Sequence, residues 1–144
     1  MLNTVVHVVR PAVAPAIASL NMQDALDRDY NGAQLLGWSI EATQMTAPNF
    51  ARLTLFWRSD ADRLPDQHTR VELIDRAGQV AQSAESDLYP MTNWARGEVV
   101  RAQCALWLPP TFVSDQYTVR VTVMAEDGKI LDTLNLSQIE VKGK

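Results

Sequence analysis

The sequence predicts an all-β fold: a single antiparallel β-sandwich, immunoglobulin-like or jelly-roll-like, with about eight or nine strands and an irregular N-terminal connector. Three observations carry this expectation. Short segments alternate apolar and polar residues, clusters of Gly, Pro, Asn and Asp separate them at near-regular spacing, and no stretch sustains a helical period.

Bulk properties narrow the class. A chain of 144 residues matches one ordinary domain able to bury a single core. Hydrophobic residues at 47% and charged residues at 21% are globular values, which argues against disorder. No window approaches the roughly 20 apolar residues of a spanning helix, so direct membrane insertion is not expected. The formal charge of −4, with Lys and Arg scattered, speaks against a nucleic-acid surface. One cysteine, Cys104, excludes an intrachain disulfide and any multi-cysteine metal site. Residues 1–10 lack the layout of a secretory signal, because the basic Arg10 follows the apolar run. The chain is therefore read as staying inside the cell or as a piece of something larger.

Thr4 to Arg10 is β-branched and predicts a strand, in which His7 is an ordinary strand histidine. Pro11 and Pro15 end it and mark a connector. Leu20 to Tyr30 predicts a short helix, with Asn21 as its cap and Met22, Ala25 and Leu26 on one side. Asn31-Gly32 is a turn from which the sheet proper starts, which divides one overall domain into an N-terminal strand and connector, 1–32, packed on a sandwich core, 33–144.

Ala33 to Thr43 alternates, with Leu36, Trp38 and Ile40 inward and Leu35, Gly37, Ser39 and Glu41 outward. After a turn at Pro48-Asn49, Ala51 to Arg58 puts Leu53, Leu55 and Trp57 inward and Arg52, Thr54, Phe56 and Arg58 outward. Ser59 to Gln67 carries Asp60, Asp62 and Asp66 but lacks the glycine and closing glutamate of a calcium loop, so a solvated hairpin loop is expected. Thr69–Asp75 and Gln79–Ser86 flank Arg76-Ala77-Gly78 as a hairpin.

Leu88 to Glu98 is dense in turn formers yet holds Tyr89 and Trp94, and a loop that contains large aromatics is normally packed. It predicts a structural crossover in which Tyr89 and Trp94 plug one end of the sandwich, Pro90 fixes the entry and Gly97 turns the chain. Val99 to Leu108 follows, with Val100, Ala102, Cys104, Leu106 and Leu108 inward, so that Cys104 acts as a small buried hydrophobe. Pro109-Pro110 ends that strand; Tyr117 to Glu126 puts Tyr117, Val119, Val121 and Val123 inward; Asp127-Gly128 is a hairpin turn; Ile130–Leu136 and Gln138–Lys142 complete the set.

The run Leu35-Leu36-Gly37-Trp38, then Leu53-Thr54-Leu55-Phe56-Trp57, then Tyr89-Pro90-Met91-Thr92-Asn93-Trp94 leading into Gly97-Glu98-Val99-Val100, resembles a bacterial family of β-sandwich domains. Those domains are appended to membrane glycosyltransferases of the protein O-mannosyltransferase type. The resemblance spans about Val6 to Val141. The departures are Pro48-Asn49 in place of a Pro-Gly turn, Glu72 in place of a histidine, and Ser114-Asp115-Gln116-Tyr117 in place of a Pro-x-Gly-x-Tyr turn. What the resemblance implies is an extracytoplasmic, envelope-associated accessory module, with no catalytic residues to carry over.

Catalytic constellations are not legible. His7 and His68 are the only histidines, and neither completes a nucleophilic triad. Asp87, Glu98 and Asp115 are loop acids with nothing to single out a glycosidase pair. No catalytic, cofactor or metal residues are assigned. The outward positions do gather Phe56, Trp107 and Met124 with Arg52, Thr54, Arg101, Gln103, Arg120 and Thr122, a mixture of apolar and hydrogen-bonding groups that would suit a partner protein or a glycan. The leading expectation is a non-catalytic interaction or scaffolding module with a protein partner or neighbouring domain. The second is a carbohydrate-binding module that uses this face, and the third an enzyme with an unassigned site.

Overall fold

The computed structural model describes residues 4–9, 24–62, 64–86 and 91–143. Ten strands form two five-stranded sheets: β1 (Thr4–Val9), β2 (Asp24–Tyr30), β3 (Ala33–Ile40), β4 (Gln44–Thr46), β5 (Asn49–Ser59), β6 (Gln67–Ile74), β7 (Val80–Ser86), β8 (Val99–Leu108), β9 (Asp115–Ala125) and β10 (Ile130–Lys142). One sheet has the order β1-β8-β5-β3-β2 and the other β4-β10-β9-β6-β7. All pairings are antiparallel except the short one between β4 and β10. The expected all-β sandwich is thus the fold, with nine longer strands and the three-residue β4.

The alternation that marks each strand in the sequence builds the core. Leu53, Leu55 and Trp57 of β5 and Cys104, Leu106 and Leu108 of β8 face Val71 and Leu73 of β6 and Val119, Val121 and Val123 of β9 in one cluster between the sheets. Side chains on successive residues point to opposite sheet faces, so this inner set fixes Arg52, Thr54 and Phe56 as the outer face of β5.

Three expectations need correction. The helix over Leu20–Tyr30 is not formed at 24–30, where the chain is strand β2 paired with β3; residues 20–23 and the proline connector lie outside the described residues. The physical cause is the turn. Asn31 and Gly32 both have positive φ, 56° and 96°, the geometry of a two-residue hairpin loop, which demands a strand on each side. The boundary at residue 32 therefore falls inside a hairpin. Leu35 rather than Leu36 faces the core, because a bulge between Leu35 and Gly37 shifts the pleat. The bulge leaves Leu35 opposite Trp57 and turns Leu36 outward to Phe56 and Val99. Finally, Ser59–Gln67 is no hairpin: it carries the chain from β5 in one sheet to β6 in the other, with Leu64 buried beneath it.

The packed crossover is partly visible. Tyr89 and Pro90 lie outside the described residues. Trp94 is buried, 6.1 Å from the ring of Trp57, which stands another 6.1 Å from Tyr30, so aromatic rings fill this end of the sandwich. Gly97, at φ 81°, donates its N–H to the Ser59 carbonyl, and Ser59 N–H donates to the Glu98 carbonyl. Those bonds fasten the loop to the end of β5 just before β8 begins.

Candidate functional site

The residues expected to share one face do not. Phe56, Arg101, Gln103 and Trp107 belong to β5 and β8, whereas Arg120 and Met124 belong to β9 in the opposite sheet. The two outer faces point away from each other across the sandwich. On the β9 side, Arg120 donates to Glu72 at 3.1 and 3.2 Å, and Arg70 donates to the sulfur of Met124 at 3.3 Å. Glu72 and Met124 are buried, so their polar and apolar groups are already engaged within the fold.

Phe56 is also withdrawn from solvent. It packs with Leu36 and Val99, and the Arg101 guanidinium lies 5.9 Å from its ring centroid. This is a closed patch on the outer surface of the β5 sheet. The feature that remains open lies further along the same strands.

There the β3–β5–β8 register aligns Ser39 with Thr54 and Thr54 with Gln103, and further along it aligns Phe50 with Trp107. The Glu41 N–H donates to the Arg52 carbonyl, which extends the β3–β5 ladder past Ile40. The result is a groove of about 370 Å³ on the outer face, bordered by Ser39, Glu41, Phe50, Arg52, Thr54 and Gln103. Its volume falls in the range of small-ligand sites.

Phe50 forms the apolar wall. Its ring lies 5.0 Å from that of Trp107, and the Arg52 guanidinium lies 5.4 Å from its centroid. Arg52 also approaches Glu41 at 3.6 Å, with both side chains more than half exposed. The rim therefore offers a guanidinium, a carboxylate, an amide and two hydroxyls around a flat apolar ring. Cys104 lies beneath; burial pushes its thiol up to about 11, so it stays protonated at neutral pH.

The sequence anticipated Trp107, Gln103, Arg52 and Thr54 on this surface; it turned Ser39 and Glu41 outward without joining them to that face, and it passed over Phe50. Phe50 carried a usable signal. It has the same parity as Arg52 and Thr54, and the strand begins at Asn49, two residues before the expected start. Among the described residues, no group of three or more His, Cys, Asp or Glu side chains is placed to hold a metal ion, and no helix is long and apolar enough to cross a membrane.

No protein-family model matches the chain, and no curated protein matches it. Solved structures do. The C-terminal domain of Wzt superposes with a TM-score of 0.63 at 14% identity over 85% of this chain and 80% of that one. The alkylpurine DNA glycosylase AlkC of Pseudomonas fluorescens, solved with DNA that contains an abasic-site analogue, gives 0.51 at 13% identity over 78% of this chain and 31% of that one. A CARDB domain of Pyrococcus furiosus gives 0.47 at 12% identity over 81% of this chain and all of that one. None of the three is named as a mannosyltransferase. At these identities the likeness is one of architecture: the chain has the β-sandwich fold found in the C-terminal domain of Wzt.

Proposed function

We propose that this chain is a non-catalytic accessory module that binds carbohydrate through the outer face of the β1-β8-β5-β3-β2 sheet. The observation that carries the reading is the groove beside Phe50. A sugar presents an apolar C–H face and a rim of hydroxyls; Phe50 can stack on the first while Thr54, Gln103, Arg52 and Glu41 hydrogen-bond the second. A fold shared with one domain of a larger protein, Wzt, supports the accessory role. An extracytoplasmic or envelope-associated place is part of the proposal and rests on the resemblance to domains attached to membrane glycosyltransferases.

The groove's polar groups suit binding rather than bond cleavage. Glycoside hydrolysis uses two carboxyl groups about 5 to 9.5 Å apart. Among the groove's lining residues Glu41 alone is acidic, and it pairs with Arg52.

The test is calorimetric titration against a panel of neutral and acidic oligosaccharides. Saturable heat that is abolished by Gln103→Ala, a change at an exposed position, supports the reading. Equal binding by the variant, or no heat across the panel, contradicts it.

A further inference from the structure

The groove does not end at Phe50. A second depression of about 130 Å³ is bordered by Gln44, Met45 and Asn49, and it shares Glu41, Phe50 and Arg52 with the first. Shared borders make the two volumes neighbours on one surface. We propose that together they form an open-ended cleft for a neutral oligosaccharide of at least two units, which runs from Gln103 past Phe50 towards β4. This rests on the carbohydrate reading above.

Length is the first argument. Asn49 precedes Thr54 by five residues on β5, which is about 16 Å at the usual strand rise. More than one sugar ring is needed to reach both ends of such a path. Phe50 borders both depressions, so it is placed to stack on a ring at the middle of the chain, with Trp107 behind it at 5.0 Å.

Charge is the second. Among the described residues, Glu41 and Arg52 are the only acidic or basic side chains that border the two depressions, and they lie 3.6 Å apart. Together they carry no net charge, so beyond a few ångströms the pair gives the cleft no net long-range attraction for a uronic acid or a phosphosugar. An added peptide strand is disfavoured for a different reason. It would need a long free sheet edge, whereas β3, β5 and β8 are each paired on both sides and β4, the edge strand beside the second depression, is only three residues long.

The experiment is a titration of the full chain with neutral gluco- and manno-oligosaccharides of one to six units, and with uronic-acid ladders of the same lengths. The expected result is an affinity about ten-fold higher for two or three units than for one, followed by a plateau. Gln44→Ala, an exposed change on β4, should weaken the longer ligands and leave the monosaccharide unaffected. A monosaccharide that binds as tightly as the trisaccharide, or a preference for the acidic ladder, overturns the cleft while leaving carbohydrate binding intact. Absence of binding to every ladder overturns both.

Discussion

The rings of Phe50 and Trp107 lie 5.0 Å apart, tilted by 50°, on neighbouring strands at directly opposed positions. Each ring is half-buried, and Phe50 alone borders the groove. The two rings therefore play different parts. On the proposed reading Phe50 stacks on the ligand and Trp107, 5.0 Å away, supports that ring.

Phe50→Ala should abolish carbohydrate binding with little loss of stability, since the ring is partly exposed. Trp107→Ala should weaken binding without abolishing it, because it releases the support and leaves the contact. Calorimetry and melting temperature, measured together on both variants, check this. A Trp107 variant weaker than the Phe50 variant would reverse the assignment.

Trp94→Ala should behave in the opposite way. The ring is buried against Trp57 at the end of the sandwich, remote in sequence from the groove residues of β3 and β5. Loss of a large buried aromatic costs on the order of 3 to 5 kcal/mol. Urea denaturation should show that loss, and the folded fraction should bind sugar normally.

Gly32→Ala should destabilise the β2–β3 hairpin. At φ 96° an L side chain is strained, and an added Cβ would stand 2.8 Å from the Cβ of Ala61. The cost is on the order of 1 to 3 kcal/mol, read as a lowered denaturation midpoint. A neutral result would mean that this turn is not held as described.

These elements show why the fold was legible and the site only in part. Alternation over β5, β8 and β9 is a local property, and it placed Leu55, Cys104 and Val121 in the core. Which sheet a strand joins is not local. Arg120 and Gln103 have equivalent outward parity, yet β9 and β8 lie in opposite sheets, and nothing within either strand records that. The Leu36 bulge and the β2 strand were missed for a related reason. Both depend on pairing geometry, and only the Asn31-Gly32 dipeptide announced it.

Stability should fall above pH 9. Burial raises the Cys104 thiol from 9.0 to about 11. Burial also raises the Tyr30 hydroxyl, as does its hydrogen bond to Asp132, and burial raises Tyr117, helped by Asp115 and Asp75. In each case the folded state holds the proton more tightly than the unfolded chain. The associated stability is complete below the unfolded value and is lost as pH rises through the folded one. For Cys104 that window is pH 9 to about 11. Melting temperatures from pH 7 to 11 should decline over it, and Cys104→Ala should flatten the slope. A slope unchanged in that variant would contradict the assignment.

The proposed carbohydrate site lies on the β5–β8 outer face and not on the β6–β9 one, and amide chemical-shift mapping with the tightest oligosaccharide separates the two. Perturbations should concentrate at Ser39, Glu41, Phe50, Arg52, Thr54 and Gln103, with Arg70, Glu72, Arg120 and Met124 unmoved. Perturbations centred on Glu72 and Arg120 would place the ligand on the opposite sheet and contradict the assignment.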